Sequence, residues 1–63
     1  MGEKLRRIRL QKRLTREELA RKAGVSASSI ARMEERSGGA ATAETLRKVA
    51  SALGKTVEEI FLP

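Results

Sequence analysis

Cysteine and histidine are both absent from the 63 residues, so neither a disulfide framework nor a set of thiolate and imidazole metal ligands can be built from this chain. That excludes a secreted, disulfide-stapled domain and the common zinc modules, and a reducing cytoplasm suits what is left. Tryptophan and tyrosine are missing too, and Phe61 is the single aromatic residue. No apolar run approaches the roughly 18 residues that would mark a membrane-spanning helix. The charged opening Met1-Gly2-Glu3-Lys4-Leu5-Arg6-Arg7 is not followed by the apolar segment of a signal peptide. No internal repeat and no linker is visible, so residues 1–63 read as one domain.

What is present is a hydrophobic share of 40%, enough for one small core and modest stability. The formal charge is +6, and its placement matters more than its size. Residues 1–36 carry eleven Lys/Arg against five Glu, whereas residues 37–63 carry three against three. All of the excess lies in the first part, which fits a phosphate-facing surface held by a neutral scaffold. Charge asymmetry alone also fits a merely solvated basic face.

Punctuation along the chain predicts five short helices. Glu3 to Lys12 places Leu5, Ile8 and Arg9 on one stripe, with Leu10 beside it and Lys4, Arg6, Arg7 and Gln11 outside. Thr15-x-x-Glu18 is a capping box that opens a second helix, running to Ala23 and stopping at Gly24. Ser26 caps a third helix from Ala27 to about Glu35, with Ile30, Met33 and Glu34 inward and Ala27, Ser28, Ala31 and Arg32 outward. After a loop from Arg36 to Ala41, Thr42 caps a fourth helix whose stripe Leu46, Val49, Ala50, Leu53 ends at Gly54. Thr56-x-x-Glu59 opens a fifth, in which Val57, Ile60 and Phe61 seal the core.

Residues 16–35 are the informative part. Ala20 is small where a second helix would cross, Gly24 tolerates a left-handed turn, and Leu19, Ala23, Val25, Ile30 and Met33 point inward. This is the steric pattern of a DNA-reading helix-turn-helix.

Leu14-Thr-Arg-Glu-Glu-Leu-Ala20, Ala23-Gly-Val-Ser26, Ile30-Ala-Arg-Met-Glu34 and Glu44-Thr-Leu-Arg-Lys-Val-Ala-Ser-Ala-Leu-Gly54 follow one another nearly at family spacing. Over essentially its whole length the chain resembles the DNA-binding domain of phage Cro and repressor proteins and the wider xenobiotic-response-element family of bacterial regulators. The resemblance implies an all-α fold, a compact five-helix bundle of the lambda-repressor-like type with helices two and three as the helix-turn-helix. It also implies a bacterial or phage protein, cytoplasmic and nucleoid-associated, with double-stranded DNA as partner and no cofactor, metal, membrane or small-molecule substrate.

By the same resemblance the third helix lies in the major groove, with Ala27, Ser28 and Arg32 at the base-reading positions. Arg32 is the strongest of these, because a guanidinium can pair bidentately with guanine O6 and N7. Ala27 suits a thymine methyl, and Ser28 can donate or accept. Phosphate contacts are expected from Thr15, Arg16, Lys12, Arg13, Ser29, Arg36, Ser37 and Gly38; capping competes for Thr15, and the helix-helix seam for Ser29. Arg16 stands where the family commonly has Gln, and the amides of the same helix start favour an anion. Arg9 and Glu34 match the residues that in phage repressors form a buried ion pair tying helix one to helix three. Stranding one member should cost several kcal/mol.

Three departures from the family pattern stand out. Arg13 replaces the usual Gly or Asn at the end of helix one, at a cost of roughly 1 kcal/mol if the left-handed geometry is kept. The loop after helix three is about one residue longer and rich in Gly and Ala. The chain ends at Phe61-Leu62-Pro63, without most of the surface used by family members to dimerise, so a homodimer on a two-fold site and a monomer both stay open. A transcriptional regulator, an excised domain of one and an engineered DNA-binding module all fit this reading; the alternative function is a protein-interaction module of antitoxin or coactivator type, for which a large exposed apolar patch would speak. An enzyme built on Ser26, Ser28, Ser29 and Lys22 lacks a matched base and a pocket, and the serines serve better as caps.

Overall fold

A computed structural model describes residues 2–35 and 42–61 as five α-helices: α1 (Gly2–Gln11), α2 (Arg16–Ala23), α3 (Ala27–Glu34), α4 (Ala43–Ala52) and α5 (Val57–Phe61). Local chemistry sets nearly every described helix end. At α2 the Thr15 hydroxyl accepts from the Glu18 amide at 3.0 Å while the Glu18 carboxylate accepts from the Thr15 amide at 2.7 Å. Two otherwise orphaned donors are thereby satisfied. Ser26 and Thr42 accept from the amides of Ser29 and Thr45, and Thr56 and Glu59 repeat the reciprocal box at α5.

The C-terminal end of α2 is closed by Gly24, whose φ of 74° is left-handed. That conformation lets the Val25 amide reach back to the Ala20 carbonyl at 3.0 Å and aims the chain into α3. At the end of α1 the same left-handed turn is made by Arg13, with φ 58°. The geometry usual for glycine is thus retained with a side chain in place. Helix α3 stops one residue before the expected Glu35, which has extended backbone angles.

Helix α2 packs on both α3 and α4, α1 packs on α3 and α5, and α4 packs on α5. Leu5, Leu19, Ile30, Val49, Leu53 and Ile60 are fully buried at the common centre. Each such side chain contributes about 1.5–3 kcal/mol through removal of apolar surface from water. Ala20, Ala23 and Ala50 are buried as well, and their small side chains allow close approach of α2 and α4. Ile8, Val25, Leu46 and Val57 are half-buried around this centre. Leu10, which the periodicity places beside the inward stripe, faces solvent at 53% exposure.

The first helix begins earlier than the expected Glu3, because Gly2 is already helical and buried. A Cβ at this position would overlap the backbone carbonyl groups of Met33 and Glu34. The amino-terminal end of α1 therefore sits against the carboxyl-terminal end of α3, where the opposite ends of two helix dipoles meet.

Candidate nucleic-acid interface

Three helices converge on the carboxylate of Glu34. Arg9 from α1 donates through Nε to Oε2 and through Nη2 to Oε1, the latter at 3.2 Å. Arg16 from the start of α2 donates through Nε to Oε1 at 3.0 Å. A further Arg9 bond, from Nη1 to the Leu14 carbonyl at 2.8 Å, ties the end of the α1–α2 turn to the same cluster. Arg9 and Glu34 are buried, at 7% and 8% exposure, whereas the Arg16 side chain remains 46% exposed.

Burial by itself pushes the Glu34 carboxyl up, but the hydrogen bonds from Arg9 and Arg16 outweigh it and hold the group below the ordinary carboxylate range. Glu34 is therefore a fixed negative charge shared by two guanidinium groups. Among the described residues no buried side-chain nitrogen or oxygen lacks a partner. Loss of one partner of such a buried pair strands the other charge.

On α3, Ile30, Met33 and Glu34 are buried while Ser28 and Arg32 are exposed. Ser28 and Arg32 lie four residues apart and so project from one face. Among the described residues Arg32 has no ion-pair partner. Ala27 differs from the outward reading, since it is half-buried and packs against the core, and Ala31 is half-buried too. Ala27 thus helps to seat α3, with only part of its methyl group available to a ligand.

The remaining expected contacts divide by what already occupies them. Lys12 and Arg13 are exposed beyond the end of α1. The Thr15 hydroxyl is engaged in capping, and the Ser29 hydroxyl lies 2.9 Å from that of Ser26 on a half-buried side chain. Arg16 points to Glu34, a tertiary bond that no local pattern announces. Arg36, Ser37 and Gly38 lie outside the described residues.

Ser26 and Ser29 are held together in the cap of α3, while Ser28 is exposed. Leu10 is the exposed large apolar side chain among the described residues, far short of a broad protein-docking patch. No described helix is long and apolar enough to cross a membrane.

A glycine-punctuated α2–α3 pair, locked from behind and presenting one polar face of α3, defines the DNA-binding helix-turn-helix class. The family model described as Helix-turn-helix matches residues 5–60. The chain belongs to this family, of the Cro/C1 type, whose members are DNA-binding domains rather than enzymes. No curated protein matches the chain.

Proposed function

We propose that this domain binds double-stranded DNA sequence-specifically, with α3 in the major groove, and that it serves transcriptional regulation from the cytoplasm. The observation that carries this reading is the division of α3 into a buried face, Ile30, Met33 and Glu34, and an exposed face, Ser28 and Arg32. In this reading Arg32 pairs with a guanine, Ser28 donates to or accepts from a base edge, and the exposed part of Ala27 meets a thymine methyl. Arg16, Lys12 and Arg13 take phosphates, with lesser contributions from Thr15 and Ser29. One such helix reads about 4–6 base pairs, so a two-fold dimer on paired half-sites gains specificity that a monomer lacks.

Selection from a randomised duplex library at two salt concentrations, with the protein and its Arg32→Ala variant, tests the assignment. The expected result is one short enriched motif, a steep fall of affinity with salt, and relaxed preference at a single base pair in the variant, worth about 1–3 kcal/mol of discrimination. Weak binding without preference, unchanged by the substitution, would overturn the groove reading.

A further inference from the structure

Helices α4 and α5 enclose a groove that the DNA-binding reading does not use. Its volume is about 710 Å³, and none of its lining residues belongs to α2 or α3. Leu46, Ala50 and Val57 give it an apolar lining, with Arg47, Lys55 and Glu58 beside them. Ala50 is buried and Leu46 and Val57 are half-buried, whereas the three charged residues are exposed and form the rim.

Short-range bonds hold both walls in place. Gly54, at φ 69°, ends α4 and turns the chain so that the Lys55 amide donates to the Ala50 carbonyl at 2.9 Å. The reciprocal Thr56 and Glu59 box then opens α5 directly. A groove formed in advance needs little ordering when a ligand enters it.

Charge at the rim is mainly positive, although residues 37–63 as a whole are neutral. Arg47 and Lys55 line the groove, and Arg47 also lines the adjoining cleft between α2 and α4 together with Lys22 and Lys48. Among the carboxylates nearby, Glu44 lies 3.6 Å from the Lys48 Nζ and Glu59 accepts from the Thr56 amide. Arg47 and Lys55 have no ion-pair partner among the described residues.

We propose that the groove between α4 and α5 docks an acidic amphipathic segment of a partner protein, its apolar side chains on Leu46, Ala50 and Val57 and its carboxylates over Arg47 and Lys55. The inference goes beyond the DNA-binding reading and does not depend on it.

The combination of apolar lining and basic rim selects the occupant. A second duplex would match the cations but leave Leu46 and Val57 without an apolar counterpart. A second copy of the chain would set one charge of +6 against another. A helix laid into the groove by apolar residues one turn apart, with acidic residues on its flanks, meets both the lining and the rim. The segment and a duplex on α3 then have separate seats.

The probe is a peptide of about 15 residues, or four helical turns, with leucines at one-turn spacing and glutamates between them. Two companions carry alanine in place of leucine, or lysine in place of glutamate. Each is titrated into the nitrogen-15-labelled chain and into the double variant Arg47→Glu, Lys55→Glu, with amide shifts as the readout. Both substituted positions are exposed, and thermal melts confirm that the variant folds. The acidic leucine peptide should give saturable shifts at Leu46, Ala50 and Val57 and leave Ser28 and Arg32 unmoved. Its affinity should fall roughly tenfold in the double variant, which should take the lysine peptide instead.

Absence of binding, or shifts gathered on Arg16 and Arg32, would overturn the docking site. So would equal binding of the alanine peptide, or a charge reversal without effect. Self-association of the wild type that the double variant abolishes in sedimentation would assign the groove to a second copy. Shifts at Leu46, Ala50 and Val57 on addition of a 20-base-pair duplex would assign it to nucleic acid, and either result refutes the proposal.

Discussion

Gly2 and Glu34 touch through their backbones: there is no room at Gly2 for even a methyl group, because the carbonyl of Glu34 occupies the place a Cβ would take. This contact brings α1 close to the end of α3 that carries the shared carboxylate. Helix spacing there is set by the absence of a side chain.

Gly2→Ala should therefore destabilise the domain by about 1–3 kcal/mol, the usual cost of forcing an extra carbon into a packed site. At an unconstrained helix position the same substitution would stabilise by roughly 0.5–1 kcal/mol. The sign of the change in urea midpoint decides between the two, and a raised midpoint would contradict the close approach.

Arg13→Gly should raise stability by about 0.5–1 kcal/mol. The left-handed φ of 58° costs a residue with a Cβ roughly 1–2 kcal/mol, part of which the greater freedom of glycine in the unfolded chain takes back. For a domain of this size such a gain raises the melting temperature by a few degrees. An unchanged or lower Tm would show that the turn is not strained by Arg13.

Acid should unfold the domain partly through Glu34. Its carboxyl lies below the ordinary range in the folded state, so the unfolded chain takes up the proton first as pH falls. The contribution to stability is fully present above the unfolded value of about 4.3 and is lost as pH drops through the lower folded value. Glu18 and Glu59 shift in the same direction, each chiefly because a backbone amide, of Thr15 and Thr56 respectively, donates to the carboxylate. Carbon-13 carboxyl titration should place all three midpoints below that of a free glutamate, and the urea midpoint should decline through the same window. A Glu34 midpoint at or above the model-peptide value would exclude the double guanidinium contact.

Arg32 is an exposed guanidinium on the outer face of α3 without an ion-pair partner among the described residues. Its readout is base preference, so the thermal midpoint of Arg32→Ala should stay within about 0.5 kcal/mol of wild type, as for surface substitutions generally. A large loss of stability would mean that Arg32 serves packing instead.

Features that depend on neighbours three or four residues away are legible in the sequence. Thr15 with Glu18, Thr56 with Glu59, and Ser26, Thr42, Gly24 and Gly54 mark helix ends, because a cap is a bond between near neighbours. The inward stripes follow from helical period for the same reason, and together they were enough to indicate the helix-turn-helix. Tertiary structure decided what depends on distant partners. Arg16 meets Glu34 across 18 positions, and Gly2 meets the end of α3 from the far end of α1. Ala27, expected outward, is likewise drawn toward the core, and Leu10, beside the inward stripe, is left facing solvent, since helical period fixes a face only to within a residue and the packing of the neighbouring helices settles which side chain is covered.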